Sequence, residues 1–229
     1  MIRIFRCLTH AFVATGLLLA AGAQAQSFEE GVHYERIPGP DVERSERIEV
    51  VEAFGYPCPA CRNFLPYITS WENNHPEFVD FRRLPVSIQR TWEPFSRGYY
   101  TARVMEVGAG AHEDLFKALH DKGRQLRNID ELADFYADYD IDPEEFRKTA
   151  RSFAVDSRLR QSTNDIRNWG IRATPTVVVN GRWRVSPRRG STYEEMIRVI
   201  DYLVEREAEA SGIEFSGDSE SGGDTSPPS

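Results

Sequence analysis

The sequence predicts an α/β fold whose sheet is interrupted by an all-helical insertion. Three observations carry this: a strand–helix–strand pattern between residues 47 and 86, an almost wholly helical stretch from about Trp92 to Trp169, and a return to two strands and a helix after Thr176. The run Arg47 to Phe54 is short and rich in β-branched residues, and it ends at Gly55-Tyr56-Pro57. Pro59 then suits an early helical position, where its missing N–H costs nothing. Phe64, Leu65, Ile68 and Trp71 give that helix an apolar face, while Pro66 removes one backbone bond and is expected to kink it. Glu77 to Val86 reads as the second strand of a right-handed βαβ unit.

Candidate helices cover Pro94 to Val107, His112 to Asp121, Ile129 to Asp138, Pro143 to Ala150 and Phe153 to Trp169. Asp142 is placed to cap the fourth, with Pro143 behind it and Glu145 at the capping-box position. Thr176 to Val179 and Arg182 to Val185 flank Asn180-Gly181, a strong hairpin signal. Tyr193 to Arg206 closes the fold as an amphipathic helix, and beyond Ala210 the composition turns to Gly, Ser, Asp and Pro, which predicts a disordered tail over 211–229. The resulting partition is a first half-domain over 26–86, a helical insertion over 87–152 and a second half-domain over 153–210.

Residues 1–25 carry Arg3 and Arg6, an apolar run from Ala11 to Ala20 and the small-residue site Ala23-Gln24-Ala25. That order reads as a cleavable secretory signal, with a run too short to span a bilayer. Its removal takes Cys7 with it and moves the formal charge from -8 to -10. An acidic exported chain of this kind is not expected to bind nucleic acid.

Cys58 and Cys61 are then the only thiols left. A bridge between them would close a tiny loop and stabilise the fold little, so the pair reads as redox-active rather than as a staple. Zinc would need a second pair of ligands, which His75, His112 and His120 do not supply at suitable spacing. No metal and no cofactor beyond the dithiol is expected. At the first turn of a helix, Cys58 gains from unpaired N–H groups and the helix dipole. It is therefore the expected attacking or attacked sulfur, and Cys61 the resolving one. Strand alternation places Val50, Glu52 and Phe54 on one face and Val79, Phe81 and Arg83 on one face of the next strand. Glu52 is thus a candidate buried acid that accepts the Cys61 proton as that thiol attacks, with Arg83 compensating its charge; an ordinary ion pair is the alternative. Thr174-Pro175 precedes the returning strand, and a cis bond there would offer the Thr174 backbone to an extended peptide.

Glu52 six residues before Cys58, the Cys-Pro-Ala-Cys motif, the helical insertion, and Thr174-Pro175-Thr176 followed by Val177-Val178-Val179-Asn180-Gly181-Arg182-Trp183 together resemble the DsbA family of thiol:disulfide oxidoreductases, over roughly Phe28 to Glu207. The resemblance implies a thioredoxin-like fold, a cis Pro175, Cys58 as the reactive thiol, Glu52 as buried acid and Arg83 as the cation beside it, where many members have lysine. It also implies a periplasmic location, reduced or unfolded exported polypeptides as substrates, and reoxidation by a quinone-linked membrane protein of the DsbB type. A monomer is expected. Two departures stand out: the dipeptide is Pro59-Ala60 rather than Pro-His, and Thr174 replaces a common valine. Without an imidazole beside it, Cys58 is expected to be less acidic, which predicts an intermediate oxidant. A thiol pKa near 5 would favour the reduced form by about 2.7 kcal/mol at pH 7, roughly 60 mV, and a pKa near 7 by almost nothing. The rival readings are a reductase or isomerase using the same dithiol and a copper carrier, although Met105 and Met196 lie far from the dithiol in sequence.

Overall fold

The structure is a computed structural model that describes residues 28–39, 45–108 and 110–214. The segment read as a signal, with Cys7, and the tail beyond Glu214 lie outside the described residues, while Ser211, expected to begin the tail, still belongs to the last helix. Twelve principal elements follow in order: β1 Glu35–Arg36, β2 Ile48–Phe54, α1 Pro59–Glu72, β3 Val79–Pro85, α2 Glu93–Val104, α3 Gly110–Phe116, α4 Ile129–Tyr136, α5 Pro143–Ala150, α6 Phe153–Asn168, β4 Thr176–Val179, β5 Trp183–Val185 and α7 Tyr193–Ser211. The sheet order is β1-β5-β4-β2-β3, with β2 and β3 parallel and the other pairs antiparallel. The two halves read from the sequence therefore meet at β2 and β4, where Ala53 pairs with Thr176 and Glu52 with Val177.

Local chemistry accounts for the element ends. Asn180 and Gly181 both adopt positive φ, 50° and 62°, as a tight hairpin between β4 and β5 requires. Asp142 accepts from the Glu145 N–H at 2.9 Å, the expected cap of α5, and Asn128, Ser152 and Thr192 cap α4, α6 and α7 in the same way. α1 runs on through Pro66 to Glu72. β1 has no counterpart in the expected pattern, α2 stops at Val104 rather than Val107, and two further helices differ in their bounds. The helix read from His112 to Asp121 begins at Gly110 and widens into a π-type turn over Lys117–Asp121. The last helix extends five residues past Arg206 to a left-handed Gly212.

One apolar cluster joins the α1 face of the sheet to α7 through Ile48, Val50, Phe64, Ile68, Ile200 and Leu203. A second, with Val51, Ala53, Leu84 and Val178, lies on the opposite face, against Ile166 and Trp169 at the end of α6. The helical insertion has its own core around Leu115, Phe116, Leu132, Tyr136 and Phe146. Cys58, Cys61, Phe54 and Tyr56 belong to that third cluster, so the dithiol lies where the insertion meets the sheet. Phe95 and Tyr100 are buried, and Trp92 and Tyr99 pack against the insertion core, in keeping with their helical spacing.

Candidate active site

The dithiol follows from how β2 ends. Its last residue, Phe54, is fully buried, and Gly55 follows because a Cβ there would overlap the ring of Trp92. The Gly55 carbonyl accepts the Cys58 N–H at 3.0 Å, which turns the chain into α1. Cys58 is the N-cap: its sulfur accepts the Cys61 N–H at 3.3 Å, with Pro59 as the first helical residue. Both cysteines are unbridged; Cys58 is 7% exposed and Cys61 not at all.

This geometry separates the two thiols. Cys58 is drawn from an ordinary value near 9 to about 5, chiefly by the hydrogen bond from the Cys61 thiol, then by Thr174 and the N–H groups of Cys61 and Ala60, against a burial penalty. Cys61 moves strongly the other way, pushed up by burial and by its negative neighbour. Ala60 contributes its backbone N–H where a histidine would contribute an imidazole. The thiolate is thus held by amides and a neighbouring thiol, and its acidity needs no cation beside it.

Thr174-Pro175 is cis. The Thr174 carbonyl lies 3.4 Å from Cys58 Sγ, so the loop before β4 meets the start of α1 across 116 residues of chain. The Tyr193 hydroxyl, at the start of α7, donates to the Ala60 carbonyl at 3.2 Å and braces the same turn.

Glu52 lies on the α1-facing side of β2, between Val50 and Phe54, and is 1% exposed. Burial raises it from 4.5 to about 6 against the opposing pull of Arg83. Arg83 is its register partner on β3 and donates Nε to it at 3.0 Å. The same guanidinium grips Glu72, the last residue of α1, through two bonds of 2.9 and 2.5 Å. For Arg83, the two carboxylates outweigh a burial penalty that disfavours its charge.

Glu72 went unnoticed in the sequence because nothing in the local pattern links the end of one helix to a strand eleven residues on. The histidines were also missed as parts of the site. His112 Nδ1 bonds the Tyr56 hydroxyl at 2.9 Å, and His120 Nε2 meets the Tyr56 carbonyl at 2.7 Å. Burial holds His112 well below the usual imidazole range and therefore neutral. The insertion thus fixes the loop two residues before Cys58 through two side chains of ordinary helical appearance.

A paired-cysteine helix start with one acidic sulfur, facing a cis-proline loop on a thioredoxin-like sheet, defines a thiol:disulfide oxidoreductase. Comparison with known proteins agrees. Residues 93–197 match the profile of the DSBA-like thioredoxin domain. The thiol:disulfide interchange protein DsbA of Pseudomonas aeruginosa PAO1 is 33% identical over 201 residues, which cover 87% of this chain and 95% of that one. Crystal structures of DsbA from P. aeruginosa and from Xylella fastidiosa superpose with TM-scores of 0.76 and 0.72. They are 32% and 36% identical, covering 82% and 78% of this chain and 98% and 97% of theirs. The chain belongs to the DsbA family of thiol:disulfide interchange proteins.

The acidity of Cys58 has a measurable consequence. A thiol whose folded-state pKa lies below its unfolded value stabilises the reduced fold at high pH, and the contribution fades as pH falls through the folded value. At pH 7 the shift to about 5 is worth at most about 2.7 kcal/mol, and partial solvent screening reduces that to roughly 1–2 kcal/mol. Chemical denaturation of reduced and oxidised protein should therefore show the reduced form losing that advantage between pH 7 and pH 4. A gap independent of pH would refute the acidic thiol.

Proposed function

We propose that this protein is an exported dithiol oxidase that passes its Cys58–Cys61 disulfide to reduced polypeptides. A substrate thiolate attacks Cys58 Sγ; a substrate–Cys58 disulfide forms as the Cys58–Cys61 bond breaks, and Cys61 leaves as a thiolate that takes up a proton. A second substrate thiolate then attacks the substrate sulfur of the mixed disulfide, and Cys58 departs as a thiolate. The observation that carries this direction is the opposite displacement of the two thiols. The acidic Cys58 is the better leaving group, so the mixed disulfide resolves toward oxidised substrate. Glu52, through water, exchanges the Cys61 proton: it supplies it when Cys61 leaves and accepts it when Cys61 attacks. A value of about 6 suits a group that must do both near neutrality.

The leader over 1–25 supports export and a periplasmic setting, in which a quinone-linked membrane oxidase of the DsbB type would return the dithiol to its disulfide. Pro59, Ala60 and Thr174 shape the thiolate's surroundings, and Pro175 presents the Thr174 backbone to an incoming chain. Equilibration with glutathione tests the direction. An oxidising potential, together with activity regained by reduced ribonuclease, supports an oxidase; rapid reduction of insulin with dithiothreitol and a strongly reducing potential would make it a reductase. Ala60→His should make the potential more oxidising by adding an imidazole to the amides already around the sulfur. An unchanged or lower value would reject this role for the dipeptide.

A further inference from the structure

A cavity of about 580 Å3 opens beside the cis-proline loop, between the end of α6, β1 and β5. Its charged lining is Arg167, Arg172, Arg184 and Glu35, and the hydroxyls of Thr176 and Ser186 face one another across 2.8 Å at its inner edge. Arg184 is occupied: it pairs with Glu35 and donates to the carbonyls of Trp169 and Gly170 at 2.8 and 2.7 Å. Arg167 and Arg172 are exposed, and neither forms an ion pair among the described residues. Two uncompensated guanidinium groups thus share one rim on a chain whose formal charge is -8. Position in the last turn of α6 explains Arg167 in part, since a cation there favours the helix dipole. No such reason applies to Arg172, which stands in the loop two residues before Thr174.

The backbone at that loop sets where a substrate must run. Thr174 N–H and C=O make no backbone–backbone hydrogen bond among the described residues, and Pro175 has no N–H to offer. An extended chain reaching Cys58 can therefore pair there through Thr174 but not through the Pro175 nitrogen, and antiparallel pairing is the arrangement in which one residue exchanges both of its bonds with one partner. A substrate cysteine reaching Cys58 Sγ, 3.4 Å from the Thr174 carbonyl, sits opposite Thr174. Residues 173–175 form a bend before β4, and the second residue after that cysteine is directed past it toward Arg172, two positions before Thr174.

We propose that Arg172, backed by Arg167, forms a specificity subsite for a carboxylate side chain, Asp or Glu, two residues after the reacting cysteine of an extended substrate segment. The inference rests on the reading that Cys58 exchanges disulfides with polypeptide thiols. Charge complementarity selects the occupant: the rim offers two free guanidinium groups and no free carboxylate, so an acidic side chain gains there and a lysine is repelled.

The test uses the oxidised full-length protein and reduced peptides of equal length that differ only at the second residue after cysteine. With Asp at that position, the second-order rate of oxidation should exceed that of the Asn peptide by about fivefold at low salt, and the Lys peptide should be slowest. The preference should collapse in the Arg167→Ala/Arg172→Ala variant and in about 0.5 M salt, while iodoacetamide labelling of Cys58 in the reduced variant stays unchanged. Equal rates for the Asp and Asn peptides, a preference that survives the double substitution, or an equal gain from Asp placed two residues before the cysteine would overturn the subsite. Failure to oxidise any of the peptides would instead overturn the exchange reading on which it rests.

Discussion

Cys61→Ser should convert this protein into a trap: mixed with a disulfide-containing substrate polypeptide, its Cys58 thiolate should attack a substrate disulfide, release one substrate thiolate and accumulate a covalent heterodimer through Cys58 that dithiothreitol dissolves. Cys58→Ser should abolish exchange. At pH 7 a thiol with a pKa of about 5 is almost wholly thiolate, whereas free cysteine is only a few per cent ionised. Cys61 is fully buried and pushed the other way, so the remaining sulfur in Cys58→Ser lacks both ionisation and access. The exchange rate should therefore fall by more than about a hundredfold even after allowing for the lower nucleophilicity of an acidic thiolate. The two variants separate the sulfurs' roles. A heterodimer formed by Cys58→Ser but not by Cys61→Ser, seen on non-reducing gels, would invert the assignment. Loss of the Cys61 side-chain hydrogen bond, the largest stabiliser of the Cys58 thiolate, should also raise the Cys58 titration midpoint in Cys61→Ala, where no hydroxyl replaces the donor, and alkylation rates across pH would report it.

The parts of this site that could be read from the sequence are those written in local spacing. Two cysteines one helical turn apart, a strand before them and a proline after the first are neighbours in the chain, and the alternation of β2 and β3 placed Glu52 and Arg83 on facing positions that the parallel register confirms. The cis state of Thr174-Pro175 had no local signal of its own; it entered through resemblance, and the structure contains it. Residues whose roles depend on distant partners stayed hidden. His112 and His120 look like members of a polar helix, and only the folded insertion brings them to Tyr56 across 56 and 64 residues. β1 is two residues long and is defined by pairing with β5 alone, too short for any periodicity to show. Glu72 and Tyr193 belong to the same class: one closes the ion-pair chain at the far end of α1 and the other braces its beginning, by contacts between elements rather than within them.

That ion-pair chain is where the largest loss of stability is expected. Arg83→Met should destabilise the reduced protein by about 3 kcal/mol at pH 8, because it leaves Glu52 buried without its cation and frees the end of α1 from its two bonds through Glu72. The pH dependence identifies the cause. Glu52 already has a folded-state value near 6, above its unfolded 4.5, so its ionisation opposes folding: the protein is spared that cost below about pH 4.5 and bears it as pH rises through the folded value. From the shift, the cost is roughly 2 kcal/mol with Arg83 present. Without Arg83 the opposing attraction is lost, the folded value climbs further, and the penalty grows over a wider range of pH. Urea denaturation should therefore show the defect of Arg83→Met shrinking between pH 8 and pH 5, and Glu52→Gln added to Arg83→Met should recover most of it at pH 8. What persists at pH 5 reports the lost grip on Glu72 and the arginine's packing over the Phe81 ring, 5.0 Å away. A defect equal at both pH values and untouched by Glu52→Gln would mean that Arg83 acts only as a strut between β3 and α1, and that the buried Glu52 carboxylate is not tuned by it.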